Sequence, residues 1–155
     1  MRDFLVLLGF IALVTLVAAT GAAFKPGAWY AALDKPAWTP PNWLFPVAWS
    51  VLYLLIAVAG WLVWREVGFS GARKAFMVYG LQLALNAAWS WLFFGRHDMG
   101  LAFLDIVGLW LAIAITMGLF WATKPLAGAL LVPYLLWVTY AAALNLALWR
   151  MNPAA

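Results

Sequence analysis

Five long stretches without a charged side chain constrain this chain more than any other feature of its sequence. No Asp, Glu, Lys or Arg occurs in 4–24, 36–64, 75–95, 106–123 or 125–149. About 20 apolar helical residues cross the hydrocarbon core of a bilayer, and each of these stretches is close to that length or longer. The runs are continuously apolar, whereas the strands of a membrane barrel alternate apolar and polar residues. The sequence therefore predicts five transmembrane helices.

The composition excludes several classes of protein. Hydrophobic residues make up 68% of the chain and charged residues 9%, whereas about 25% of the residues in a soluble domain are charged. Disorder is excluded because it requires low hydrophobicity. The nine basic residues are scattered singly or in pairs between the apolar runs, which is typical of loops that anchor a membrane protein and not of a nucleic-acid interface. We expect a multi-pass integral membrane protein that binds no nucleic acid, in a membrane that the sequence does not identify.

The predicted architecture is one all-α transmembrane domain over 1–155. The expected spans are about 4–24, 43–64, 75–95, 99–123 and 126–149, with a long structured loop over 25–41. The first run is longer than the apolar core of a signal peptide, which has about 7–15 residues, so we interpret it as a retained span. The basic residues divide five to four between the two sides, which barely favours a cytoplasmic N-terminus.

The first loop, KPGAWYAALDKPAWTPP, is much longer than most connections within a bundle. It carries Trp29, Tyr30 and Trp38 among four prolines, which restrict the backbone. One interpretation is a stiff aromatic lid across the open end of the bundle. The other is an aromatic belt at the membrane interface, and the loop alone does not decide between them.

Two helix faces carry polar and aromatic residues at four-residue spacing. Trp49 and Tyr53 share a face of the second span, and Gln82 and Asn86, followed by Trp89, share a face of the third. An unpaired amide is costly in lipid, so both amides should point into the bundle. They either hydrogen-bond neighbouring helices or orient a ligand in a cavity, and we favour the cavity.

The fifth span carries Pro133, Trp137, Ala141 and Asn145 at four-residue spacing. Pro133 removes a backbone donor and Ala141 leaves space beside the tryptophan. Because Trp137 is near mid-membrane, it is not an interface anchor. It is either part of the core or the wall of an aromatic pocket.

Gly80, Ala84 and Ala88 form a stripe of small residues on the third span, rotated away from the amide face. Such stripes allow close approach of two helices. The stripe is either the interface of a homodimer or a packing surface inside the monomer.

The remaining polar residues provide no evident catalytic or metal site. Asp105 is the only acidic residue embedded in a span, and it has no basic residue at similar depth. His97 is the only histidine, and we interpret it as a surface residue. Cysteine is absent, which excludes thiolate ligands and nucleophiles. We expect no catalytic residues of acid–base or nucleophilic type, no metal and no obligatory cofactor.

The run WYAALDKPAWTPPNWLFPVAWSVLY closely resembles the signature of the tryptophan-rich sensory protein and translocator protein family (TspO/MBR), also called the peripheral-type benzodiazepine receptor family. The similarity continues in LQLALNAAWSWLFFG and VPYLLWVTYAAALNLALW and covers essentially the whole chain. It implies a five-helix bundle that binds porphyrins, sterols in some members, and benzodiazepine-type and isoquinoline-type ligands. The pocket residues that the resemblance implies are Trp29, Tyr30, Trp49, Tyr53, Gln82, Asn86 and Trp137, with the dimer interface on Gly80, Ala84 and Ala88. Trp38, Trp89 and Ala141 join the predicted pocket because of their positions.

Three functions follow as hypotheses. The leading one is a receptor or sensor for porphyrin-type tetrapyrroles. The others are transport of porphyrins or lipids, and tryptophan-assisted photo-oxidative breakdown of a bound porphyrin. A sterol is a weaker expectation as a partner, because Tyr140 is ten residues before Arg150 and the sterol-recognition pattern needs five or fewer between them.

Overall fold

Helices make up most of the protein in the computed structural model, which describes residues 1–153. Ala154 and Ala155, the last residues of the predicted domain, lie outside the described residues. In chain order the helices are α1 (Arg2–Ala23), α2 (Ala28–Ala32), α3 (Leu44–Gly71), α4 (Arg73–Ser90), α5 (Met99–Thr123), α6 (Pro125–Leu130) and α7 (Val132–Met151). A single π-helical turn, Trp91–Gly95, continues α4.

Four helical segments are long and apolar enough to cross a membrane: α1, α3, α5, and α6 together with α7 as one run of 27 residues. The fifth long segment is α4 with its π-helical turn, 18 residues followed by five. It is less apolar because it begins with Arg73 and Lys74 and carries Gln82 and Asn86 in its middle. The prediction of an all-α, multi-pass integral membrane bundle is confirmed.

The second predicted span ends at Trp64, yet α3 continues to Gly71. The charges that end the apolar run form ion pairs beyond the core: Arg65 Nε lies 3.4 Å from Asp3 Oδ2, and Glu66 Oε2 lies 2.9 Å from Lys124 Nζ. The helix is interrupted at Gly68, whose φ of 69° is readily adopted only by glycine. This break turns the chain toward α4.

The helices pack in the cyclic order α1, α4, α5, α7, α3, with α6 filling the space beside α3 and α5. A continuous core of apolar side chains runs through the bundle, including Phe10, Ile56, Leu109, Phe120 and Val138. Since α1 contributes Phe10, Val14 and Val17 to that core, it is part of the bundle. The interior between α3, α4 and α7 is where the predicted polar and aromatic faces meet.

Candidate functional site

A chain of hydrogen bonds joins α3, α4 and α7 inside the bundle. The Tyr53 hydroxyl donates to Asn86 Oδ1 (2.7 Å), the Asn86 amide donates to the Tyr134 hydroxyl (2.7 Å), and that hydroxyl donates to Gln82 Oε1 (2.9 Å). Gln82, Asn86 and Tyr134 are only 2%, 5% and 0% exposed. The amides therefore point inward, as their spacing predicts, and their hydrogen bonds satisfy polar atoms that lipid could not.

A second polar contact links α4, α5 and α7 closer to the first loop. Trp89 Nε1 donates to Asn145 Oδ1 (3.0 Å), and Asn145 Nδ2 donates to the carbonyl of Met99 (2.9 Å). Asn145 is 1% exposed. Both polar atoms of its amide are paired, so Asn145 fixes the indole of Trp89 against the start of α5.

A column of aromatic rings leads from the first loop into the space between α3 and α7. Ring centroids are 5.7 Å apart for Trp38 and Tyr140, 5.9 Å for Tyr140 and Trp137, and 6.0 Å for Trp137 and Phe45. The Tyr140 hydroxyl also donates to the carbonyl of Trp38. We call Trp38, Tyr140, Trp137 and Phe45 the aromatic column. Its first residue, Trp38, belongs to the first loop.

Trp49 lies one helical turn after Phe45 on α3 and packs against the polar chain. Its ring stacks on Tyr53 at 5.4 Å and meets the edge of Tyr134 at 6.1 Å. Phenol and indole rings thus surround the two buried amides. An apolar, aromatic interior with a few fixed polar groups is the usual composition of a small-molecule site.

The first loop, 25–41, folds over one end of the bundle, and we call it the lid loop. Its short helix α2 carries Trp29, whose ring stacks on His97 at 4.2 Å and contacts Phe93 edge-on at 5.7 Å. Tyr30 and Leu33 are buried against the π-helical turn and α7. Burial, reinforced by the neighbouring Tyr140, raises the pKa of the Tyr30 phenol.

The middle of the lid loop is tied to the end of α7 at Asp34. The Asp34 amide donates to Asn152 Oδ1 and Asn152 Nδ2 donates to the Asp34 carbonyl, both at 2.9 Å.

Asn152→Ala removes both bonds, so we expect amide hydrogen exchange across the lid loop to accelerate about five-fold, equivalent to about 1 kcal/mol. Exchange measured by mass spectrometry checks this, with α5 peptides as the internal reference. An unchanged rate would show that the pair does not hold the loop.

The remaining predicted residues lie around this site or outside it. Ala141 is half-buried one turn after Trp137 on α7. Gly80 and Ala84 are exposed on the outer face of α4, and a Cβ added at Gly80 would meet no atom within 4 Å. The stripe at these residues and Ala88 therefore has little role in packing within the monomer, and a homodimer along it stays a prediction.

Asp105 lies apart from the site on α5. Its Oδ2 is buried and has no hydrogen-bond partner among the described residues. His97 is exposed and adopts a positive φ of 56°. Within residues 1–153 no group of three or more His, Cys, Asp or Glu is placed to hold a metal ion.

The sequence of this bundle matches the family model described as the TspO/MBR family over residues 9–150. The chain belongs to the TspO/MBR family. Protein CrtK of Rhodobacter capsulatus is 48% identical over 140 residues, covering 87% of this chain and 85% of the relative. The tryptophan-rich sensory protein of Cereibacter sphaeroides is 41% identical, covering 97% and 93%, and the human translocator protein is 39% identical, covering 94% and 89%. The resemblance noted from the sequence is confirmed, and membership supports a general role as a membrane receptor.

Tyr134 and Tyr140 line the candidate site but were not among the pocket residues predicted from the sequence. Tyr134 is at the centre of the polar chain, whereas its neighbour Pro133 is exposed. A strict four-residue spacing on α7 drifts by about 40° per step on a helix of 3.6 residues per turn. Mixed three- and four-residue steps place Tyr134, Val138 and Asn145 on the buried face, so that rule would have found Tyr134.

Proposed function

We propose that this chain is a membrane receptor that binds porphyrin-type tetrapyrroles between α3, α4 and α7, beneath the lid loop. The observation that carries the proposal is the aromatic column, which runs from Trp38 in the lid loop to Trp137 and Phe45. Phe45 lies one turn before Trp49, whose ring packs against two tyrosines of the polar chain. Flat apolar ligands are bound well by ring faces that stack on them and by a few polar groups that fix their orientation.

Edge-on packing in the site supports binding of a flat ligand. The interplanar angle is 65° between Trp38 and Tyr140, 74° between Phe45 and Trp137, and 80° between Trp49 and Tyr134. Because the rings of these three pairs are not stacked face to face, as Trp49 and Tyr53 are, a macrocycle inserted between them replaces edge contacts with face contacts. Benzodiazepine-type and isoquinoline-type ligands are smaller flat molecules of the same chemistry, and we propose the same site for them.

Binding requires a change in conformation, because protein side chains fill the site in this structure. Gln82 and Asn86 are paired with tyrosines, and Tyr30 and Leu33 seal the end of the bundle. We propose that the lid loop opens while the side chains between α3 and α7 change rotamer. The ligand then stabilises the open form in proportion to its differential affinity for that form.

Filling the site tests the proposal. Ala141→Phe adds a ring one turn from Trp137, so we expect about tenfold weaker binding of protoporphyrin or a larger loss, since overpacking costs about 1–3 kcal/mol. The measurement is quenching of tryptophan fluorescence during titration of the protein in lipid nanodiscs. Ala12→Phe, on the exposed face of α1, is the matched control and should bind normally. Equal affinity of the Ala141→Phe variant and the wild type would contradict the site.

A further inference from the structure

An apolar groove lies on the outer face of the bundle between α5 and α7, separate from the proposed tetrapyrrole site. It has a volume of about 300 Å³, and its lining, which includes Phe103, Val107, Leu111, Ala143 and Leu146, exposes no polar surface. Val107, Leu111 and Ala143 are exposed. Because this face of a transmembrane bundle meets the bilayer, lipid tails are the molecules that surround the groove.

A polar pocket of about 370 Å³ lies at the end of α5 and α7 nearest the lid loop. Its lining includes Arg96, Asp98, Gly100 and Trp149. Asp98 Oδ1 accepts a hydrogen bond from the Leu101 amide (2.9 Å) and so caps α5, which leaves Oδ2 free to accept from another donor. The pocket is thus lined by one basic and one acidic side chain, and the Arg96 guanidinium lies over the neighbouring Trp91 ring, 5.4 Å from its centroid.

The groove and the pocket are adjacent, and the Trp149 indole lies where they meet. Trp149 lines the polar pocket, and its ring centroid is 6.1 Å from that of Phe103, which lines the groove. The ring lies against Gly100, where an added Cβ would be 3.0 Å from Trp149 Cζ2. The combined surface is apolar along α5 and zwitterionic at its end.

We propose that this surface binds one glycerophospholipid whose headgroup carries a phosphate and a primary ammonium group, as in phosphatidylethanolamine. An acyl chain occupies the groove, Arg96 pairs with the phosphate, and Asp98 Oδ2 accepts from the ammonium group. The groove runs from Phe103 to Leu111, about 12 Å of helical rise, which is close to the roughly 15 Å thickness of one leaflet's hydrocarbon layer. Both the length and the charge pattern therefore fit a lipid of the leaflet nearest the lid loop.

Native mass spectrometry of the delipidated full chain tests the proposal. Dioleoyl-phosphatidylethanolamine, phosphatidylglycerol and phosphatidylcholine are titrated separately, and we expect phosphatidylethanolamine to bind tightest. Arg96→Gln should weaken binding of all three about five-fold, the effect of about 1 kcal/mol per basic residue near the headgroups. Asp98→Asn keeps the helix cap, because asparagine caps as well as aspartate, and should remove only the preference for phosphatidylethanolamine.

Groove-filling variants test the acyl-chain site independently. Ala143→Phe and Val107→Phe, both at exposed positions, should lower occupancy by all three lipids, whereas Ala12→Phe on α1 and Arg73→Gln at the opposite end should not. Circular dichroism verifies that each variant is folded.

Three results would overturn the assignment. The first is equal binding of the three lipids to the wild type. The second is unchanged occupancy in both groove-filling variants. The third is displacement of the lipid by protoporphyrin from the wild type and from the Ala141→Phe variant alike, which would make the groove a porphyrin site.

Discussion

Replacing Tyr134 with alanine is expected to lower the free energy of unfolding by about 3–5 kcal/mol, the range for truncating a large buried aromatic side chain. The side chain is fully buried, and its hydroxyl is the link between Asn86 on α4 and Gln82 on the turn before it. Truncation leaves a cavity and removes the hydrogen-bond partner of Asn86 Nδ2 and of Gln82 Oε1 inside the membrane. No other single substitution that we consider combines both effects.

Tyr134→Phe separates the two contributions. It keeps the ring but removes the hydroxyl, so Asn86 Nδ2 and Gln82 Oε1 lose their partner. Hydrogen bonds between helices in membranes contribute about 0.6 kcal/mol on average and at most about 1.7, so we expect a loss of about 1–2 kcal/mol for the pair. Denaturation of the purified protein in mixed micelles, followed by circular dichroism, measures both variants. Stability within experimental error of the wild type for Tyr134→Ala would refute the packing described above.

Trp137→Ala is expected to weaken protoporphyrin binding by about 30-fold, equivalent to about 2 kcal/mol, the usual cost of truncating an aromatic residue that dominates binding. Trp137 is central in the aromatic column, between Tyr140 and Phe45. Truncation of Trp137 removes a surface on which the porphyrin can stack and leaves Tyr140 and Phe45 less tightly packed. The titration in nanodiscs that serves for Ala141→Phe gives the affinity.

The matched control for Trp137→Ala is Trp121→Ala. Trp121 is 49% exposed near the end of α5 that is remote from the lid loop, so its removal deletes one fluorophore without touching the proposed site. We expect unchanged affinity for this control. A loss of affinity shared equally by both variants would mean that quenching reports nonspecific association with the membrane.

The helices of the bundle could be predicted from the sequence because each must be long and apolar enough to cross the bilayer and must keep its polar side chains away from lipid. Apolar length and the cost of an unpaired amide are local properties of a chain in a bilayer. They are sufficient to place Gln82 and Asn86 inward and Gly80 outward, as the structure has them. The continuation of α3 beyond Trp64 was not predictable in this way, since Arg65 and Glu66 are satisfied by Asp3 and Lys124 from distant parts of the chain.

The contacts within the site could not be predicted from the sequence, because they depend on which helices are neighbours in the bundle. Tyr134 meets Asn86 across 48 positions of sequence, and Asp34 meets Asn152 across 118. Neither pair has a local signal. The π-helical turn at Trp91–Gly95, which carries Phe93 toward Trp29 and Tyr30, likewise has no local sequence signature.

A structure of the protein with bound protoporphyrin tests the central claim most directly. We predict the macrocycle between α3 and α7, with a ring face against Trp137, the lid loop displaced, and the Asn86 or Gln82 amide released from its tyrosine partner. A macrocycle bound only on the outer face, in the groove between Phe103 and Leu146, with the chain of hydrogen bonds from Tyr53 to Gln82 intact, would contradict the proposed function.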